Sequence, residues 1–185
     1  MMTEIALNVL DVAENSVRAD ASYIEIDIAA DTKKDVLEII VRDNGCGMSK
    51  EQVKRVTDPF YTTRTTRKVG LGIPFFKQAA ESTGGSFKIE SRENEGTCVK
   101  AVFGLSHIDR MPLGDINSTI YTLVVFNEAI DFHYRYSYDG REFVLDTKQM
   151  KQILGDLSFQ NAEVSQFIRD YLDTNKAEVD GGQTL

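Results

Sequence analysis

From Thr3 to Arg18 the apolar residues Ile5, Leu7, Val9, Leu10, Val12, Ala13 and Val17 follow a helical period. Immediately afterwards the period changes. Tyr23–Ala29 (YIEIDIA) alternates with Tyr23, Ile24, Ile26 and Ile28 apolar, and after a polar turn at Asp31–Lys34 comes Val36–Val41 (VLEIIV). These two runs read as half-buried strands paired antiparallel. A helix with a broad apolar face followed directly by a two-stranded ribbon confines the chain to folds that mix both kinds of element.

The remaining segments extend that reading. Ser49 with Gln52 forms a capping-box pattern that starts a short helix. Helix returns over about Gly72–Ser82 and is broken by Gly84-Gly85, and Phe87–Ser91 with Thr97–Phe103 forms a second hairpin. Residues 108–119, with Pro112 and Gly114, read as a linker. Beyond it, Ile120–Phe126 is strongly apolar, and Phe132–Tyr138 and Arg141–Leu145 flank an Asp139-Gly140 hairpin turn. Two helices follow, Thr147–Leu154 ended by Gly155, and Ala162–Leu172, with DGGQTL expected as a frayed tail.

A length of 185 residues, with 42% hydrophobic and 27% charged side chains, is enough for a core and argues against wholesale disorder. The net charge of −8 speaks against a nucleic-acid or basic membrane-surface protein. That charge is uneven: residues 1–105 hold 14 basic and 16 acidic side chains, and residues 106–185 hold 7 and 13. Cys46 and Cys98 are too few for a disulfide scaffold and suit no metal site. The acidic, amphipathic opening is unlike a signal peptide, and no apolar run approaches the roughly 18 residues of a membrane span. A cytoplasmic protein with no membrane partner is expected.

Four ordered clusters carry chemistry. Asp11 and Asn15 lie four apart and share a helix face with Arg18, an arrangement of carboxylate, amide oxygen and cation that suits a Mg²⁺–phosphate group or a solvated surface. Asp43-Asn-Gly45-Cys-Gly47-Met48 follows a strand, so glycines permit close approach of a flat ligand and the carboxylate can accept from an exocyclic amine. Asp58–Arg64 (DPFYTTR) leads through Arg67 and Lys68 to Val69-Gly70-Leu71-Gly72-Ile73, a glycine-rich turn feeding a helix N-terminus and suited to phosphate.

In series these clusters resemble the nucleotide-binding domain shared by gyrase-type ATPases, Hsp90 chaperones, sensor histidine kinases and mismatch-repair ATPases. DVAENSVRADAS corresponds to the family's N box, DNGCGM to G1, DPFYTTR to the F box and VGLGI to G2. Thr83–Phe103 closely resembles the last hairpin of histidine-kinase catalytic domains. The resemblance implies an α+β fold, a two-layer sandwich with a mostly antiparallel sheet (the Bergerat-type ATP-binding fold). That domain would occupy residues 1–107, with a linker at 108–119 and a hairpin and two-helix extension at 120–185. It also implies ATP and Mg²⁺ as cofactors. Asn15 would ligate Mg²⁺ and Asp43 would receive the adenine amino group, which Gly45 and Gly47 allow close to the backbone. Gly70, Leu71 and Gly72 would wrap the phosphates, Thr97 would assist near the adenine, Arg18 would contact phosphate, and Arg64 would be a basic lid residue of the nucleotide site.

Three departures shape the functional expectation. The family's ATPases and serine kinases carry glutamate four residues before the Mg²⁺ asparagine, and here that position is Asp11. Water and serine hydroxyls benefit from a base, whereas neutral imidazole does not, so Asp11 tilts the reading towards a hydroxyl nucleophile. Glu14 could substitute only on a rotated helix. The only histidines, His107 and His133, both lie behind the nucleotide domain, which argues against a complete histidine kinase. The strand and helix that commonly precede the N box are missing, and Ile120–Phe126 is expected to supply a replacement strand. The expected function is a stand-alone kinase transferring the γ-phosphate to a protein acceptor, similar to the anti-sigma-factor serine kinases. An ATPase or ATP-switched binding module is the alternative. The extension would supply a partner or homodimer surface.

Overall fold

The computed structural model describes residues 3–58 and 72–185. The elements are α1 (Ile5–Arg18), β1 (Tyr23–Asp31), β2 (Val36–Asp43), α2 (Lys50–Thr57), α3 (Gly72–Glu81), β3 (Ser86–Arg92), β4 (Gly96–Gly104), α4 (Ile116–Phe126), β5 (Asp131–Tyr138), β6 (Arg141–Asp146), α5 (Thr147–Leu154) and α6 (Ala162–Asp180). The strands form one six-stranded sheet in the order β3-β4-β2-β1-β5-β6. Every pairing is antiparallel except β1 with β5, which runs parallel with Tyr23 opposite Asp131 and Ala30 opposite Tyr138. The fold is α+β, in two layers.

Strict alternation separates the two faces of the sheet. One face turns Ile24, Ile26, Ile28, Leu37, Ile39, Val99 and Phe103 into the core, continued on β5 and β6 by Phe132, Tyr134, Tyr136 and Leu145. Over it lies a row of helices in which α3 packs on α1, α1 on α4 and α4 on α6. The other face carries cross-strand ion pairs: Arg42 with Glu25 at 3.1 Å, Lys100 with Glu38 at 2.6 Å, and Arg135 with Asp27 at 2.6 Å. Such a ladder keeps a broad sheet face wettable without an apolar cover.

The Asp139-Gly140 turn forms as expected, with φ of 48° and 82°, the left-handed pair that a two-residue hairpin needs. Its Asp139 carboxylate also accepts from the Thr32 amide and hydroxyl, both at 2.7 Å, which ties this hairpin to the β1–β2 turn. Those two bonds hold the Asp139 carboxyl below its ordinary pKa. The Ser49–Gln52 capping box is complete at the start of α2.

Three expectations for the second half are corrected. Ile120–Phe126 is the body of helix α4, not a strand. Ile116–Thr119, expected as linker, is the first turn of α4, where the Asp115 carboxylate accepts from the Ser118 amide at 2.9 Å. A short, strongly apolar run fits a buried helix as well as a buried strand, and here the length and the Asp115 cap decide. The strand beside β1 is β5. The segment after α6 is not frayed: α6 continues to Asp180, which is buried, and the Leu185 carbonyl accepts from the Leu113 amide at 2.7 Å.

Candidate functional site

Between α1, α2 and the ends of β2 and β4 lies a cavity of about 410 Å³, within the usual range of small-ligand sites. Its walls are apolar, built by Val12, Val41, Met48, Val56, Ile73, Ile89 and Val99. The polar groups reaching it include Asn15, Ser16, Arg18, Asp43 and Thr97. A larger, more open cleft of about 700 Å³ adjoins it between α2 and the β3–β4 tip, sharing Asp43, Ile89 and Thr97. The smaller cavity is the better site, because it combines apolar walls with converging polar groups.

Asp43 is the best-organised of these groups. It closes β2, is 9% exposed and, among the described residues, is held by neutral donors. Its Oδ1 accepts from the Gly45 amide at 2.9 Å and the Thr97 amide at 3.3 Å, and Oδ2 accepts from the Ser16 hydroxyl at 2.5 Å. Among the described residues these are its donors, and one lone pair of Oδ2 is left for a donor in the cavity. Thr97 is fixed in turn: its hydroxyl lies 2.8 Å from that of Ser91, which accepts from the Met48 amide at 2.8 Å.

Both G1-loop glycines are required by the protein's own packing. A Cβ on Gly45 would stand 2.7 Å from the Ala19 carbonyl oxygen. At Gly47, φ is 65° and a Cβ would fall on the Arg92 carbonyl. The loop is thereby pressed between the end of α1 and the β3–β4 turn, leaving Gly47 and Met48 in the cavity wall.

On α1, Asn15 and Arg18 line the cavity together, with Arg18 donating weakly to the Asn15 amide oxygen at 3.4 Å. Arg18 also pairs with Glu14 at 2.9 Å, so Glu14 is engaged on the exposed side of the helix. Asp11 stands one turn earlier and packs against the start of α3: a Cβ on Gly72 would meet its Oδ2 at 2.8 Å. Burial raises the Asp11 pKa and the neighbouring Glu14 adds to this, opposed by Arg18. Gly72 therefore serves as the opening through which Asp11 reaches the N-terminus of α3. Arg64, Gly70 and Leu71 lie outside the described residues.

Two contributors escaped the sequence reading. Ser16, next to Asn15, turns inward to hold Asp43, and its position beside the N-box asparagine was the available signal. Gly96, with φ of 116°, lets β4 start against the backbone of Asp43, where a Cβ would strike the Asp43 carbonyl. It was visible only as a turn glycine. His107 and His133 are not among the residues lining the cavity.

A buried carboxylate facing an apolar cavity, with an amide oxygen and a guanidinium at its mouth, defines a nucleotide-type site on a two-layer sandwich. The profile of the histidine kinase-, DNA gyrase B- and HSP90-like ATPases matches residues 2–107, and the chain belongs to this family of ATP-binding domains. It is 31% identical over 107 residues to a protein described as an NtrY-like sensor histidine kinase of Rickettsia prowazekii (strain Madrid E), covering 58% of this chain and 18% of that one. It is 34% identical over 96 residues to sporulation kinase E of Bacillus subtilis (strain 168), covering 52% and 13% respectively. The chain thus spans less than a fifth of the length of these relatives. The fold is similar to the Aquifex aeolicus MutL ATPase domain solved with ADP, with a TM-score of 0.50, 15% identity and 99% of each chain covered. Among the described residues, no helix is long and apolar enough to cross a membrane.

Proposed function

We propose that the chain binds Mg²⁺–ATP in this cavity and transfers the γ-phosphate to a hydroxyl of a protein acceptor, as a regulatory kinase of the cytoplasm. The observation that carries the reading is the Asp43 carboxylate, buried beneath apolar walls with three neutral donors and one lone pair free. That is the chemistry an adenine amino group fits. Asn15 offers the amide oxygen that would hold Mg²⁺. Among the described residues there is no group of three or more acidic, histidine or cysteine side chains placed to hold a metal. One protein oxygen suffices for a cation that keeps its waters and takes further ligands from phosphate. When bound, the ion neutralises charge between the phosphates.

Asp11 supports the choice of a hydroxyl nucleophile. Its raised pKa makes it a stronger base than an ordinary aspartate, and it stands one helical turn from Asn15. As the acceptor oxygen bonds to the γ-phosphorus and the bond to the β-phosphate oxygen breaks, Asp11 takes the hydroxyl proton and ADP leaves. The same base would serve water, so ATP hydrolysis coupled to a partner surface is the second reading. The acidic residues 106–185 expose Phe126 (66%), Ile153 (85%) and Phe167 (57%), which suit a protein partner or a second copy.

The test is labelled ATP with Mg²⁺, with and without candidate acceptors. Label appearing on a protein supports the kinase reading, and steady phosphate release without an acceptor supports the second. Asn15→Ala should abolish Mg²⁺-dependent binding, and Asp11→Ala should keep binding and lose turnover. Undiminished turnover in Asp11→Ala removes Asp11 from the mechanism.

A further inference from the structure

Helix α1 starts in an unusual way. Its N-cap residue, Glu4, makes no side-chain cap, so the first amides of the helix need other acceptors. They find them in the strap before α4: the Ile5 amide donates to the Pro112 carbonyl at 2.9 Å, and the Ala6 amide to the Leu113 carbonyl at 2.8 Å. Glu4 returns the contact, accepting from the Asp115 amide at 3.3 Å. The strap is held in turn from the far end of the sequence, where the Leu113 amide donates to the Leu185 carbonyl at 2.7 Å. Behind Leu185 stands a fixed anchor. Asp180 accepts from Tyr136 of β5 at 2.9 Å, from Lys176 at 2.7 Å, and from the Gly182 amide at 2.9 Å.

We infer that segment 180–185 is a latch that positions the nucleotide-binding helix. A continuous line of bonds runs from β5 through Asp180, Leu185 and Leu113 to the first turn of α1, the helix that carries Asp11, Asn15, Ser16 and Arg18. An α-helix transmits a shift of one end to the other because its hydrogen-bonded turns are stiff along the axis. Asp43 sits on β2 and takes two of its three donors, the Gly45 and Thr97 amides, from outside α1; its bond from Ser16 is the part that follows the helix. Releasing segment 180–185 therefore loosens the whole Mg²⁺ and phosphate side of the site, and the adenine side only through Ser16. The latch can be reached from solvent, because a cavity of about 480 Å³ opens beside it between Glu4, Gly114, Lys176 and Leu185.

The inference rests on α1 bearing the Mg²⁺ ligand, so its test has one arm without nucleotide. The chain shortened to end at Gly182 is compared with the full chain by amide hydrogen exchange, and by titration with adenosine and with Mg²⁺–ATP. The expected result is faster exchange at Ile5 and Ala6 with unchanged exchange at Ile26 and Ile39. Adenosine affinity should fall by no more than it does on losing the Ser16 hydroxyl, while Mg²⁺–ATP affinity falls by roughly a further tenfold, the scale of about 1.4 kcal/mol. Unchanged exchange at Ile5 and Ala6, or equal losses for both ligands, overturns the latch. Should the shortened chain lose the sheet, Asp180→Asn, which weakens the anchor and removes no residue, is judged by the same readouts. If the full chain binds no Mg²⁺–ATP, the proposed function fails, and the exchange arm alone decides whether segment 180–185 holds α1.

Discussion

Asp43, at the end of β2, and Asp180, at the end of α6 against β5, are two buried carboxylates, and they are compensated in opposite ways. Asp180 meets a cation, Lys176 at 2.7 Å, together with the Tyr136 hydroxyl and the Gly182 amide, so its charge is matched inside the protein. Asp43 has only neutral donors, from Gly45, Thr97 and Ser16, and no ion pair among the described residues. A buried anion is stable when its charge is paired and costly when it is not. The first arrangement is finished without a ligand, while the second leaves acceptor capacity aimed into a cavity. That difference separates a residue that holds the fold from one that waits for a substrate, although both would count as buried acidic residues in a sequence.

The comparison can be broken at the level of whole halves. Residues 1–107 alone would leave β1 as an edge, exposing Ile24, Ile26 and Ile28 along the side that β5 covers, and would strip α4 from α1. We expect this fragment to lack a cooperative thermal transition and to bind no nucleotide. A sigmoidal melt with full ATP affinity would show that the two halves are independent.

At single residues the two carboxylates should give crossed results. Lys176→Met leaves Asp180 buried without its cation, which costs about 3–5 kcal/mol of stability, read by denaturant titration, with a smaller loss of adenosine affinity than in Asp43→Asn. Asp43→Asn keeps an oxygen for the Gly45 and Thr97 amides, so stability should change little. It reverses the polarity facing the adenine amine, and affinity should fall by roughly 10- to 100-fold, about 1–3 kcal/mol for a buried unmatched group. If Asp43→Asn destabilises the fold as much as Lys176→Met, the distinction between the two sites is lost.

Much of this was legible in advance, for local reasons. The alternation in Tyr23–Ala29 and Val36–Val41, the Ser49–Gln52 box and the Asp139-Gly140 turn each depend on neighbours a few positions away, so their chemistry is written in short windows. The ordered motifs around Asp11, Asn15, Asp43 and Thr97 were legible for the same reason. What failed was non-local. Ile120, Leu123, Val124 and Val125 are buried because α1 and α6 both pack on α4, and so wide a buried face blurs the period that marks a helix. The glycine-rich end after Asp180 looked unstructured, yet Leu113, far away in sequence, supplies its partner. Ser16 gave no signal of its own, because its role exists only once β2 brings Asp43 beside α1.

Ser16 therefore offers a finer probe of the Asp43 side of the comparison. Ser16→Ala removes one of three donors to a charged acceptor, worth about 1.5–3 kcal/mol, without touching the apolar walls. Adenosine affinity should drop about tenfold or more in calorimetry, less than in Asp43→Asn if the two remaining amides still orient the carboxylate. An affinity equal to wild type would mean that Gly45 and Thr97 position Asp43 unaided.

The smallest expected effect concerns Asp11, and its sign is informative. Folding places this carboxylate where burial and Glu14 raise its pKa above the ordinary 3.8. The ionised group is thus less comfortable in the folded chain than in the unfolded one. Its cost to stability is fully present above the folded pKa and vanishes once the pH falls below about 3.8. Asp11→Asn should therefore raise the unfolding midpoint slightly at neutral pH, and the gap between variant and wild type should close on acidification. Loss of turnover in the same variant would mark Asp11 as a residue held at some expense to the fold because its basicity is used. A variant less stable than wild type at neutral pH would instead make Asp11 a structural partner of the α3 N-terminus.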